Sequence, residues 1–165
     1  MLNCCPSIIS NIMKKLRILI VCMGNICRSP MAEGVARYLL RTVGRDDVLL
    51  DSAGTHAAWH DGDAPDPRAR RVMRAHGMPI DDLRARPFDP GDFARFDRIL
   101  VADWRNYQDV TALAENGAQQ DKVGFMLETL PDSPALPDPY LGTPEDFERT
   151  FTLLEQALRL RFAHE

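Results

Sequence analysis

The sequence predicts an α/β fold: a three-layer sandwich on a four-stranded parallel, doubly wound sheet of the Rossmann-like kind. Two observations carry that expectation. The run Leu16-Arg17-Ile18-Leu19-Ile20-Val21-Cys22 is apolar and β-branched almost throughout, as a strand covered on both faces is. Beyond it, strand-like and helix-like segments alternate to the end of the chain, an order that right-handed crossovers turn into a parallel sheet.

The elements follow in order. The first strand stops at Gly24-Asn25. From Ser29 to Gly44 the apolar residues Met31, Ala32, Val35, Ala36, Leu39, Leu40 and Val43 recur every three or four positions, which predicts a helix, with Pro30 tolerated in its first turn. Val48-Leu49-Leu50 reads as the second strand, Pro67 to His76 as a helix closed by Gly77, and Arg98 to Ala102 as the third strand. A helix from Trp104 to Asn116, a fourth strand from Val123 to Leu127 and an amphipathic helix from Thr143-Pro144 to Phe162 complete the series. Between the last strand and the last helix lies a proline-stiffened loop, Pro131 to Tyr140.

The 165 residues, 45% hydrophobic and 27% charged, suffice for one core and predict one domain, over residues 13–165. Residues 1–12 have neither helical nor strand period and read as a disordered extension. With 24 acidic residues against 20 basic, neither a nucleic acid nor an anionic membrane is an expected partner. No apolar run approaches the roughly 20 residues that cross a bilayer. Basic residues follow the early isoleucines instead of preceding them, so no export signal is read, and a reducing cytoplasmic setting is expected. All four cysteines, Cys4, Cys5, Cys22 and Cys27, fall at the start of the chain, where they cannot staple the remainder. Cys4 and Cys5 receive no role.

In open α/β sheets the ligand crevice lies at the carboxyl ends of the strands, and here the first strand runs into Cys22-Met23-Gly24-Asn25-Ile26-Cys27-Arg28-Ser29-Pro30. Backbone N–H groups that curl into a helix N-terminus form an anion nest, and Gly24 and Asn25 tolerate the left-handed turns involved. Cys22 sits at its floor and Arg28, with a planar fork for two oxygens, at its rim. A Walker loop is excluded because no Gly-Lys-Ser/Thr occurs there, and a dinucleotide fingerprint because Gly24 is the loop's only glycine. The histidines show no ligand spacing, so neither metal nor cofactor is expected.

The nest, the helix N-terminus and Arg28 favour a Cys22 thiolate, and Ser29 is close enough to donate to it. The same donors hold a phosphate ester for in-line attack that forms a phosphocysteine. The leaving group needs a proton, and Asp138, held between Pro137 and Pro139, is the candidate acid and then base. Tyr140 offers an aromatic wall.

These residues, with Asp51-Ser52-Ala53-Gly54-Thr55 and Asp138-Pro139-Tyr140, closely resemble the low-molecular-weight protein tyrosine phosphatases, from about Lys15 to Phe162. The resemblance implies phosphotyrosine hydrolysis without metal or cofactor, with Cys22 as nucleophile, Arg28 as phosphate clamp and Asp138 as acid/base. It implies that Ser52 and His76 support Asn25, that Asp103 orients Arg28, and that Trp59 in His56-Ala57-Ala58-Trp59-His60 stacks on the substrate ring. The implied partner is a phosphotyrosine protein or a small aryl phosphate, met by a monomer or weak dimer. Thioredoxin-coupled arsenate reductases of this fold use two further cysteines in mid-chain, and none follows Cys27 here. Arginine phosphatases carry threonine where this chain has Ile26. A phosphotyrosine-binding module has no need of both Cys22 and Asp138. Cys22 and Cys27, brought near each other by the loop, are expected to form a protective, reversible disulfide.

Overall fold

A computed structural model describes residues 14–164. The expected extension at 1–12, with Cys4 and Cys5, and the expected domain limits at 13 and 165 lie outside the described residues. Four strands, β1 (Leu16–Cys22), β2 (Val48–Gly54), β3 (Arg98–Val101) and β4 (Val123–Phe125), form one sheet in the order β2-β1-β3-β4. Every pairing is parallel, with Cys22 level with Gly54 and Val21 with Val101. Among the described residues six α-helices accompany them: α1 (Arg28–Thr42), α2 (Pro67–Ala75), α3 (Asp92–Arg95), α4 (Trp104–Thr111), α5 (Gly117–Gln120) and α6 (Pro144–His164).

The doubly covered strand expected from the first apolar run is observed. Ile18, Ile20 and Cys22 join one core with Met31, Val35 and Leu39 of α1 and Phe147, Phe151 and Leu154 of α6. Leu19 and Val21 point the other way, into a second core with Phe93, Ile99, Val101, Val110 and Phe125. Each such large apolar side chain removed from water contributes about 1.5 to 3 kcal/mol, so burial on both faces fixes β1 at the centre and its carboxyl end under whatever binds there.

Several boundaries differ from those the sequence predicts. β2 runs on to Gly54, because the polar Asp51 and Ser52 that interrupt its apolar pattern are satisfied by Arg86 and Glu33. The single helix expected over 104–116 ends at Thr111, and Asn116 starts the short α5 by accepting from the backbone N–H of Gln119 at 3.0 Å. β4 stops at Phe125 and Met126 and Leu127 turn into the core. α3 was not expected; its first residue, Asp92, is buried and accepts from Arg86 and Arg95.

Arg17 at the start of β1 is fastened to Asp97 before β3: its backbone N–H and Nε donate to Oδ2 at 2.9 and 3.2 Å, and Nη2 donates to Oδ1 at 3.1 Å. These bonds, with Lys14 nearby, lower the Asp97 carboxyl from 3.8 to about 2. A depressed carboxylate stabilises the fold above its unfolded value and loses that contribution as pH falls through the folded one. Asp97→Asn is therefore expected to cost about 1 kcal/mol in thermal or urea unfolding at pH 7. The difference from wild type shrinks as pH falls from about 4 through 2; a difference undiminished in acid contradicts the assignment.

Candidate active site

The carboxyl ends of the strands converge on one cavity of about 170 Å³. Its floor is the loop from Cys22 to Arg28, and Asp138 and Tyr140 face it from the loop beyond β4. The side carrying the 3-10 turn Ala58–His60 contributes His56 and His60.

Loop carbonyls are tied outward: Cys22 O accepts from Thr55 N at 2.9 Å, Met23 O from His56 N at 2.8 Å, Ile26 O from Asp66 N at 2.8 Å and Cys27 O from Met31 N at 3.1 Å. The backbone N–H groups of residues 24–28 meet no acceptor among the described residues, which leaves them free to serve as the anion nest the sequence predicts. Of the two residues expected to turn left-handed, only Asn25 does, at φ 55°. Gly24 is not left-handed. The glycine this loop cannot do without is Gly54 at the end of β2, where a Cβ would stand 2.5 Å from Met23 O and 3.0 Å from Asn25 N.

Asn25 is buried behind the loop and holds its turn through three hydrogen bonds. Nδ2 donates to Ser29 Oγ at 2.8 Å and to Ser52 Oγ at 3.0 Å, while Oδ1 accepts from the backbone N–H of Arg86 at 2.9 Å. Ser29 Oγ lies 3.0 Å from Cys22 Sγ. Since Ser29 already accepts from Asn25, its own proton is available to the sulfur.

The Arg28 guanidinium is 2% exposed. Nη1 donates to Asp103 Oδ2 at 2.6 Å and to Leu136 O at 3.0 Å, and Nη2 donates to Asp138 Oδ2 at 3.3 Å. Burial works against its charge, but Cys22, Asp103 and Asp138 outweigh it and raise the pKa. Asp103 is also the N-cap of α4, accepting from Asn106 N at 2.9 Å, so one carboxylate joins the Arg28 guanidinium to the start of α4. The Asp138 carboxylate also accepts from the backbone N–H of Tyr140 at 3.1 Å. The Arg68 guanidinium lies over the Tyr140 ring, 5.5 Å from its centroid, and is itself held by the α2 N-cap Asp66.

The two loop cysteines differ. Both are buried and free. Burial pushes the Cys27 thiol up, and the Asp66 and Cys22 charges push the same way, so Cys27 is a neutral thiol at ordinary pH. Only Cys22 has the Ser29 hydroxyl against its sulfur.

Two site expectations need correcting. His76 does not reach Asn25 or Ser52: it is the C-cap residue of α2, its Nε2 lies 2.9 Å from Glu148, and its ring stacks on Phe151 of α6 at 3.8 Å. The place beside Ser52 belongs to Glu33, which accepts from Ser52 Oγ at 2.7 Å. Trp59 is 94% exposed and outside the cavity, because the 3-10 turn directs its neighbour His60 inward. Sequence reading missed Glu33, Arg68, Arg86, His56 and His60 as well as the close approach at Gly54. Glu33 carried a signal, since it follows Ser29 by four positions and so shares its helical face.

A sequence model described as "Low molecular weight phosphotyrosine protein phosphatase" matches residues 17–164. The chain is 39% identical over 146 residues to a putative low molecular weight protein-tyrosine-phosphatase of Synechocystis, covering 86% of this chain and 91% of that one. It is 38% identical over 137 residues to a low molecular weight phosphotyrosine protein phosphatase of Schizosaccharomyces pombe, covering 81% and 86%. Among solved structures, a protein tyrosine phosphatase from Entamoeba histolytica superposes with a TM-score of 0.85 at 32% identity, over 90% of this chain and 96% of that one.

Gly54→Ala is expected to displace Met23 and Asn25, lowering stability by about 1 to 3 kcal/mol. At Gly24 a Cβ would stand in ordinary contact with the His60 ring at 3.4 Å and the Ile26 side chain at 3.6 Å, so the melting temperature of Gly24→Ala is expected to stay near wild type. Equal melting temperatures for Gly54→Ala and wild type would contradict the close approach.

Proposed function

The chain belongs to the low molecular weight phosphotyrosine protein phosphatase family, and from that premise we propose that it hydrolyses phosphotyrosine monoesters in two steps through a phosphocysteine on Cys22. The observation that carries this reading is the convergence of Cys22, the Arg28 guanidinium and the Asp138 carboxylate on one cavity floored by free backbone N–H groups.

The Cys22 thiolate attacks phosphorus while the bond to the phenolic oxygen breaks, and Asp138 gives that oxygen a proton. The carboxylate then takes a proton from water, whose oxygen attacks phosphorus and returns Cys22 as thiolate. Guanidinium geometry supports the clamp. Of its five N–H groups, two on Nη1 and one on Nη2 are already bonded to protein, leaving two, on Nε and Nη2, for a pair of phosphoryl oxygens. As charge develops on those oxygens, Arg28 and the loop N–H groups are already in place and need no reorganisation. Tyr140, steadied by Arg68, lines one side of the space for the aryl group. Ile26, which also lines the cavity, suits the aromatic group of the proposed substrate, a protein phosphotyrosine or a small aryl phosphate. No described helix is long and apolar enough to cross a membrane, and the proposed setting is the cytoplasm.

Cys22→Ser is expected to abolish hydrolysis of p-nitrophenyl phosphate and phosphotyrosine peptides, measured with a chelator present, and Asp138→Ala to slow phosphotyrosine turnover by roughly 10² to 10⁴. Full activity in Cys22→Ser would overturn the mechanism. The proposed redox guard has its own readout. Peroxide oxidises the Cys22 thiolate to a sulfenic acid, and the neutral Cys27 thiol condenses with it, releasing water and forming the disulfide. Peptide mapping after mild peroxide is expected to find the Cys22–Cys27 crosslink; sulfinic Cys22 without it would count against the guard.

A further inference from the structure

One buried carboxylate behind the phosphate loop takes no part in either step above. Glu33, 2% exposed, lies on α1 one turn after Ser29 and accepts from Ser52 Oγ through Oε2 at 2.7 Å. Its Oε1 meets Arg37 Nη2 at 3.0 Å a further turn along, and Arg37 Nη1 donates to Asp82 Oδ2 at 2.9 Å on the surface. With the bonds around Asn25, these make one continuous path from Cys22 Sγ through Ser29, Asn25, Ser52, Glu33 and Arg37 to Asp82.

The path has a direction. The Arg86 N–H at Asn25 Oδ1 fixes the amide, so both Nδ2 hydrogens go to the Ser29 and Ser52 hydroxyls. Each hydroxyl thereby accepts one bond and keeps one proton to give. Ser52 gives its proton to the Glu33 carboxylate, and Ser29 is left to give its own to Cys22. A protonated or amide group at position 33 can instead turn a donor toward Ser52 Oγ. Ser52 Oγ then accepts from both sides and its own proton loses the carboxylate that took it; Asn25 can take that proton only by turning its amide over, which sets its NH2 against the Arg86 N–H.

We propose that Glu33, held ionised by Arg37, is a positioning residue that accepts the Ser52 proton in a hydrogen bond and so secures, together with the Arg86 N–H, the Asn25 orientation that keeps the Ser29 hydroxyl donating to the Cys22 thiolate. Burial pushes the Glu33 carboxyl up, Asp51 on β2 and Asp82 beyond α2 push it the same way, and the Ser52 bond and Arg37 oppose them. Asp51 is itself paired with Arg86. Taking away Arg37 lets Glu33 keep its proton to higher pH than in the wild type, so a surface ion pair controls the nucleophile from outside the cavity.

The inference rests on Cys22 being the nucleophile, but not on which ester is hydrolysed. Its test is the rate at which iodoacetamide alkylates Cys22, located by peptide mapping and followed across pH, beside hydrolysis of p-nitrophenyl phosphate. In Arg37→Gln, a partly exposed and foldable position, alkylation and kcat are expected to fall about tenfold or more near pH 5.5 and to stay within about threefold of wild type at pH 8, with KM little changed. Arg37→Lys restores most of the loss, and Glu33→Gln lowers both rates about 10- to 100-fold near pH 6. Alkylation of folded Arg37→Gln that superimposes on wild type at every pH overturns the proposal. A wild type whose Cys22 alkylates as described but which hydrolyses no aryl phosphate overturns the functional reading instead.

Discussion

A guanidinium that is 2% exposed needs acceptors on all sides, because an uncompensated buried charge costs several kcal/mol. Arg28 at the first turn of α1 meets that need with three acceptors from two segments distant in sequence: Asp103 where β3 passes into α4, and the Leu136 carbonyl and Asp138 in the loop beyond β4. The sheet order β2-β1-β3-β4 makes these contacts possible, since the β1 loop and the end of β3 face each other where the strand order reverses. One constraint thus brings the Asp138 carboxylate against the Arg28 guanidinium. The cost of burying Arg28 is offset by Asp103 and Asp138, the second of which the proposed mechanism uses as acid and base.

The opposite side of the loop is held differently, by neutral groups and close packing. Asn25 adopts a conformation uncommon for a residue with a side chain, and its three hydrogen bonds compensate that strain. Gly54 lets the backbone of β2 come near enough to receive the loop. Held on both sides, the loop puts two cysteines only five positions apart into distinct surroundings: Cys22 has a hydroxyl donor against it and the Arg28 charge acting on it, whereas burial and the Asp66 charge keep Cys27 a neutral thiol.

How much of this was legible in the sequence depended on whether local pattern or tertiary contact decided each residue. β1, α1 and the Cys22-to-Pro30 loop could be read directly, because apolar continuity, helical period and loop chemistry are local. Ser52 and Asp103 came from a resemblance; in the structure Ser52 Oγ accepts from Asn25 and Asp103 accepts from Arg28. His76 did not follow: a histidine at the end of α2 meets α6 before it can reach the loop, and stacking on Phe151 holds it there. Trp59 shows the limit of reading one residue in a short turn, since a shift of one position exchanged it with His60. Glu33 was hidden among the apolar residues of α1, although its spacing from Ser29 placed it on the face that meets Ser52. The pairing of that face with β2 exists only once the sheet has formed.

The central claim is covalent catalysis by Cys22 in an anion nest completed by Arg28. Its most direct test is rapid quenching of Asp138→Ala during turnover of p-nitrophenyl phosphate, whose leaving group departs without help from an acid, followed by peptide mapping. The account predicts release of p-nitrophenol together with a phosphoryl group on the peptide that bears Cys22. Release of p-nitrophenol with no phosphorylated peptide, or with the phosphoryl group on another residue, would contradict it.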